Sequence, residues 1–261
     1  MAEDESIAEL RMRTDALTSA SQLRRIAGAL AGDRRAGARA LATRCRRRAA
    51  EIEREGRRLS RLLALRERLF SEGAQRVAGV DEVGVGPLAG PVVAAAVVLP
   101  GRPLLPGLDD SKRLPRELRE RLAEQIHAQA VCIAVAEVWV DEIDRRNIYQ
   151  ASLLAMRKAV EALAPQPDHV LVDARRIPGI DAVQTSIVGG DGLDASIAAA
   201  SIVAKVHRDA IMARLDGEYP GYGFARHMGY ATREHLHALR RLGACPIHRR
   251  SFMPVAQLPL F

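Results

Sequence analysis

The sequence predicts an α/β layered fold behind a helical appendage, on three observations. Beyond residue 76, short valine- and isoleucine-rich runs alternate with stretches of helical periodicity. Acids close three of those runs. The first 72 residues have a composition of their own, with arginine in place of lysine and leucines at helical spacing.

In the appendage, Leu10, Leu17, Leu23, Ile26 and Leu30 recur at roughly helical spacing, and Ala31-Gly32-Asp33 offers a stop and a fresh start. A second helix is expected from about Arg34 to Phe70, with Leu41, Ile52, Leu59, Leu62, Leu63 and Leu69 along one side. RVAGVDEV (76–83) and VVAAAVVL (92–99) read as strands around a Gly/Pro turn. PRELRERLAEQIHAQA (115–130) reads as an amphipathic helix opened by a proline, VCIAVAEVWV (131–140) as a strand, and NIYQASLLAMRKAVEALA (147–164) as a helix. HVLVDA (169–174) and AVQTSIVGGD (182–191) read as strands ending in acids. ASIAAASIVAKVHRDAIMARL (195–215) is a long helix whose small residues permit close packing on a sheet. The expected division is a basic helical extension (1–72), an α/β domain (73–255) and a mobile tail (256–261).

With 261 residues and 48% hydrophobic content, the chain can bury a sizeable core. No uninterrupted apolar run is long enough to span a bilayer, and the acidic start lacks an apolar signal core. Cys45, Cys132 and Cys245 are too widely spaced to form a framework. A cytoplasmic, reduced monomer with no membrane partner is expected. The net charge of +7 is concentrated: residues 1–72 hold 17 arginines against 11 acids, leaving 22 basic and 21 acidic groups elsewhere. Such an arm suits a phosphate backbone, and equally suits an amphipathic helix pair with a solvated charged face.

The stretch GVDEVGVGPLAGP (79–91) sets Asp81 and Glu82 side by side among uncharged residues. Buried carboxylates are costly without a positive partner. Asp173 and Asp191 close two further runs, and the carboxyl ends of neighbouring strands line up along one sheet edge. Hard oxygen donors in that number suit Mg²⁺ or Mn²⁺ rather than zinc. Neighbours in a strand point to opposite faces, so Asp81 and Glu82 share a metal only if the strand breaks, which Gly84 and Gly86 permit. Strand-end acids also form turns and cap helices, and the pattern alone leaves both readings open.

The segments VAGVDEVGVGPLAGPVVAAAVVL, VLVDA, SIAAASIVAKVHRD, YGFARHMGY and HRRSF, in this order, resemble bacterial ribonuclease HII over roughly residues 76–255. The resemblance implies a ribonuclease H-like mixed sheet flanked by helices, with a C-terminal helical module. Some members of that family carry an N-terminal helical extension of similar length. It further implies a metal-dependent endonuclease that cuts the RNA strand of RNA·DNA hybrids and single ribonucleotides embedded in duplex DNA, leaving 5′-phosphate ends. The catalytic acids it implies are Asp81, Glu82, Asp173 and Asp191, holding two Mn²⁺ or Mg²⁺ ions. Asp209, mid-helix beside Arg208, reads instead as a surface ion pair. His207, His227, His235, His237 and His248 are not required by that chemistry, and Cys245-Pro-Ile-His248 lacks the second pair a zinc site needs.

Telling RNA from DNA requires contact with the 2′-hydroxyl. The resemblance implies that Gly84-Val85-Gly86 makes this contact through its backbone and that Tyr230 stacks on the sugar. Valine at 85 stands where arginine is usual; Met228 and Gly189 stand where lysine is usual. Weaker phosphate affinity is expected from these three losses. Lys112, in Asp110-Ser111-Lys112, is the expected phosphate partner, with Asn147, Ser196 and Lys205 as further candidates. Tyr222 and Phe224 are expected in the core. An alternative is an RNA·DNA hybrid-binding protein with weakened or altered cleavage, though four retained acids favour the enzyme. A third reading makes the basic arm a partner-binding module in its own right. The final residues, Gln257-Leu258-Pro259-Leu260-Phe261, resemble the Gln-Leu-x-Leu-Phe peptide by which bacterial replication and repair proteins dock on the sliding clamp. Leu258, Leu260 and Phe261 would be apolar anchors there, and Gln257 the orienting amide.

Overall fold

The structure, a computed structural model, describes residues 5–257, and the chain divides into two compact units at Arg61/Leu62. The first unit contains α1 (Ile7–Asp15), α2 (Ala20–Ala31) and the beginning of α3 (Ala36–Ser71). Ser6 and Glu9 form a reciprocal capping box at the start of α1. One helix was expected through Leu30; the chain instead breaks at Ala16–Ser19, where Ser19, extended at the N-cap position of α2, meets the Ser21 hydroxyl at 2.8 Å. Leu10, Leu23, Ala27 and Leu30 pack on Ala38, Leu41, Ala42, Cys45 and Ala49 to form this unit's core. From residue 50 to 61, α3 has no buried residue.

The second unit is built on a five-stranded mixed sheet. Its strands are β1 (Val77–Val83), β2 (Val92–Val98), β3 (Cys132–Val138), β4 (His169–Asp173) and β5 (Val183–Ile187), in the order β3-β2-β1-β4-β5. The β1–β2 and β2–β3 pairs are antiparallel; β1–β4 and β4–β5 are parallel. The helices are α4 (Arg116–Gln129), α5 (Val140–Arg146), α6 (Ile148–Glu161), α7 (Ala195–Glu218), α8 (Phe224–His227) and α9 (Arg233–Leu242). Ala78, Val80, Val170 and Val172 face α6, where Ala151, Ala155, Met156 and Ala159 fill the core. Val77 and Leu171, of opposite parity, meet Ile197 of α7 together with Leu69 from the last turn of α3. Arg66, also in that last part of α3, is buried and donates to the carbonyls of Leu99 (2.9 Å) and Pro100 (3.0 Å).

Gly79 is what lets α7 seat against β1: a Cβ there would lie 2.0 Å from the Ser196 carbonyl carbon. Two boundaries differ from expectation. The strand expected through Val140 ends at Val138, because Trp139 caps α5 and Asp141 and Glu142 favour its N-terminus. The strand expected to reach Asp191 ends at Ile187; Gly189 turns the chain with φ 69°, and Asp191 lies in a 3₁₀ turn, Gly190–Gly192. No helix among the described residues is long and apolar enough to cross a membrane.

Candidate active site

The parallel register pairs Val80 with Val172, so Asp81 and Asp173 follow as neighbours on adjacent strands. Both have the parity of Val77 and Leu171, and therefore face α7. Asp81 is 5% exposed and hydrogen-bonded by Ser201 of α7. The Ser201 hydroxyl also meets that of Ser111 at 2.9 Å, which ties this part of α7 to the Asp110-Ser111-Lys112 segment. Burial, then the charges of Glu82 and Asp173, hold Asp81 well above the usual carboxylate range. Asp173 accepts from the Gly190 amide at 2.8 Å, which draws the 3₁₀ turn carrying Asp191 towards the same edge. Asp191 is buried and meets Lys112 Nζ at 3.1 Å. Burial works against that ammonium, but the hydrogen bond and charge of Asp191 outweigh it and raise the Lys112 pKa.

Glu82 takes the other face. The strand continues to Val83 rather than breaking at the acids, and Glu82 meets Arg175 at 3.3 Å. Arg175 is itself held by the Ser152 hydroxyl of α6 and lies over the Tyr149 ring. Burial raises the Glu82 pKa, with Arg175 opposing and Asp173 adding to the rise. Among the described residues, no three histidine, cysteine or acidic side chains converge on one metal position in this arrangement. The donor chemistry nonetheless fits a hard divalent cation. The three aspartates offer only oxygen, and the burial and neighbouring carboxylates that raise the Asp81 pKa are what a cation would offset.

Beside the acids, two wholly buried arginines hold the segment 84–91 by its carbonyls, Arg249 at the Gly-Val-Gly loop and Arg208 beyond it. Arg249, of the HRRSF segment, donates to Gly84 (2.6 Å), Val85 (3.0 Å) and twice to Gly90 (2.9 and 3.1 Å). Arg208 of α7 donates to Pro91 (2.9 Å), Ala89 (3.1 Å) and Met228 (3.0 Å). Burial lowers their pKa values to about 9 and about 10, and the Arg208 charge adds to the effect on Arg249. Gly84, with φ 88°, has no room for a Cβ beside the Arg208 side chain. Gly86 is exposed, and a Cβ there would lie 3.9 Å from the ring of Tyr230, itself 41% exposed.

The Tyr230 backbone is held by a chain of histidines with defined protons. The Cys245 amide donates to His248 Nδ1 (3.0 Å), which leaves the His248 proton on Nε2. That proton goes to His235 Nε2 (3.0 Å), so His235 carries its own on Nδ1 and gives it to the Tyr230 carbonyl (2.9 Å). Burial, then the neighbouring His235, pushes His248 down to about 4; burial also lowers His235. Tyr222 and Phe224 stack nearby and are buried, as expected for core residues.

The remaining candidates stand apart from these groups. Asn147 caps α6, its side chain accepting from the Gln150 amide at 3.1 Å. Ser196 is completely buried with an unpartnered hydroxyl, and reaches no ligand as it stands. Lys205 is bound to Asp209 at 2.7 Å, and Arg119 approaches the same carboxylate at 3.6 Å. Asp209 is thus ion-paired as read, but to Lys205 and Arg119 and in a half-buried position, because Arg208 turns inward. Gln257 closes a short 3₁₀ turn, Val255–Gln257; Leu258, Leu260 and Phe261 lie outside the described residues. Sequence reasoning does not single out Ser201, Arg175, Arg208 or Arg249. A signal existed for Arg208, which falls in line with Ala204, Ile211, Met212 and Leu215 on the buried side of α7.

The family model described as Ribonuclease HII matches residues 78–255. The ribonuclease HII of Anaeromyxobacter sp. (strain Fw109-5) is 56% identical over 229 residues, covering 88% of this chain and 73% of that protein. That of Geobacillus kaustophilus (strain HTA426) is 53% identical over 226 residues, covering 87% and 86%. Among solved structures, the ribonuclease H2 from Pyrococcus horikoshii OT3 aligns with a TM-score of 0.61 at 26% identity, over 70% of this chain and 96% of that one. Ribonuclease HII in a PCNA complex from Archaeoglobus fulgidus aligns with a TM-score of 0.57 at 27% identity, over 68% and 95%.

Proposed function

The chain belongs to the ribonuclease HII family, metal-dependent endoribonucleases acting on RNA·DNA hybrids, and on that premise we propose that it cuts at single ribonucleotides within duplex DNA. Asp81, Asp173 and Asp191, with Glu82, would hold Mn²⁺ or Mg²⁺. When bound, such ions activate a water and stabilise the leaving 3′ oxygen of the phosphodiester, leaving a 5′-phosphate. The chain's own residues do the recognition. Gly86, exposed beside Tyr230, leaves the loop backbone open to a 2′-hydroxyl, Gly84 and Val85 hold the loop in place through Arg249, and Tyr230 presents a ring on which a sugar stacks. Lys112, with a side chain 76% exposed, can exchange Asp191 for a substrate phosphate.

The observation that carries this reading is the register that sets Asp81 beside Asp173, with a loop and an exposed tyrosine fastened next to them. A duplex containing one ribonucleotide, incubated with Mn²⁺ or Mg²⁺, should be cut at that position. Intact duplex with both ions would overturn the proposal. A second reading, hybrid binding with weakened cleavage, draws on Val85, Gly189 and Met228; tight binding without turnover in the same assay would select it. The tail supports a further partner, the bacterial sliding clamp, engaged through Gln257, Leu258, Leu260 and Phe261.

A further inference from the structure

The arginines of the first unit are not spread evenly. On α3, Arg39, Arg46, Arg54, Arg57 and Arg61 are all exposed, and at 3.6 residues per turn they fall within an arc of about 80°. From Arg46 to Arg61 the row is about 22 Å long at the helical rise of about 1.5 Å per residue. Arg39 donates to the Asp33 and Arg34 carbonyls. Among the described residues, Arg46, Arg54, Arg57 and Arg61 have no ion-pair partner. The acids of this stretch are engaged elsewhere: Glu51 with Arg47 (3.9 Å), Glu53 with Arg24 (2.5 Å) and Glu55 with Arg58 (2.8 Å).

The fold gains nothing from this row. Like charges at three- and four-residue spacing, as at Arg54, Arg57 and Arg61, disfavour a helix. The apolar residues Ala38, Leu41, Cys45 and Ala49 lie on the other side and are consumed by the unit's own core; of the large apolar residues of α3 only Ile52 is exposed, at 37%, too little to bury in a membrane surface. A rigid line of unpaired guanidiniums matches a regular polyanion, and duplex phosphates present one charge per about 1.7 Å of axis.

We propose that this row is a second nucleic-acid contact surface, binding duplex phosphates without reading base or sugar. It rests on the reading that the chain acts on hybrid duplexes, and it supplies cations where Val85, Gly189 and Met228 do not. The test uses the full chain with Arg46→Gln, Arg54→Gln, Arg57→Gln and Arg61→Gln combined, since glutamine keeps helix propensity close to that of arginine. Binding to a long RNA·DNA hybrid and to a plain DNA duplex is titrated against salt in EDTA, where no cleavage intervenes. The slope of log affinity against log salt should become shallower by about 2–3.5, at about 0.9 per lost contact. Low-salt affinity should fall about 10–100-fold for both duplexes, and the gap should close at high salt. The pair variant Arg54→Gln/Arg57→Gln should give about half the slope change. Unchanged slope and affinity in a variant of wild-type helicity overturn the proposal, as does loss of binding to phosphatidylserine vesicles with duplex binding intact. Failure of the wild-type protein to cleave with Mn²⁺ would count against the nuclease reading alone, because the binding titration contains no turnover.

Discussion

At the scale of one residue, Asp81 is held in the folded protein at a cost to stability. Its burial beside Glu82 and Asp173 raises its folded pKa far above its unfolded value. The native state therefore holds a proton that the unfolded state has released, and stability declines as pH rises from about 4 upward. Asp81→Asn removes that penalty. It should raise metal-free stability by roughly 1 kcal/mol at neutral pH while abolishing cleavage of a ribonucleotide-containing duplex. Denaturant titration in EDTA, with a cleavage assay in Mn²⁺, reads both; a variant that cuts at the wild-type rate would remove Asp81 from the site. Val85 poses the opposite test. Its side chain packs against the main core while its carbonyl is held by Arg249. Val85→Arg should tighten duplex binding and steepen its salt slope by about 0.9, as one added phosphate contact does. An unchanged slope would mean that the loop presents no side chain to the backbone of the substrate.

At the scale of elements, the site depends on how the segment after β1 is fastened to α7 and to the HRRSF segment. The Leu88 amide donates to Gly229 and the Arg249 amide to Leu88, so three distant stretches share one small ladder. Arg249 satisfies four acceptor contacts that a lysine ammonium cannot reach together. Arg249→Lys should cost about 2–4 kcal/mol in denaturant unfolding and raise KM more than it lowers kcat. An equal KM would separate loop geometry from substrate binding. The histidine chain from Cys245 to Tyr230 gives these elements a pH dependence. His248 stays neutral in the folded protein down to about pH 4, whereas the unfolded chain takes up its proton near 6.5. The unfolded state then binds more protons, so this residue's contribution is present above that value and is lost as pH falls from 6.5 to 4. Asp194, raised to about 6 by burial, acts with opposite sign between about 4 and 6. His248→Asn keeps an acceptor for the Cys245 amide. It should flatten the acid limb of the stability–pH curve relative to wild type, while an identical limb would place the acid sensitivity elsewhere.

For the whole molecule, the second unit carries every group that the proposed cleavage uses, and the first carries most of the excess positive charge. The C-terminal tail would add delivery. A micromolar-order affinity for a sliding clamp, about −8 kcal/mol, is the expectation for so short an apolar peptide. Removing residues 257–261 should eliminate clamp binding and leave cleavage of short duplexes unchanged. Equal clamp binding by intact and truncated protein, measured by calorimetry, would assign the contact to another surface.

The sequence by itself determined the alternation of strands and helices, the strand-end position of Asp173 and the close-packing helix of small residues, whereas Asp81 and Glu82 lie within β1 and Asp191 in a turn beyond β5. The first three are local signals, written in periodicity and spacing along a few turns or a few pleats. It also carried the order of segments that marks the family. The tertiary structure alone decided which face each acid takes, because parity acquires a direction only when a partner strand fixes the register. That pairing put Asp81 and Asp173 together facing α7 and sent Glu82 across to Arg175. It alone revealed the work of Arg208 and Arg249, since the carbonyls they hold lie more than a hundred residues away for Pro91, Ala89, Gly84 and Gly90. A charge in the interior is stable only where distant backbone supplies its acceptors, and no stretch of sequence records where that backbone will be.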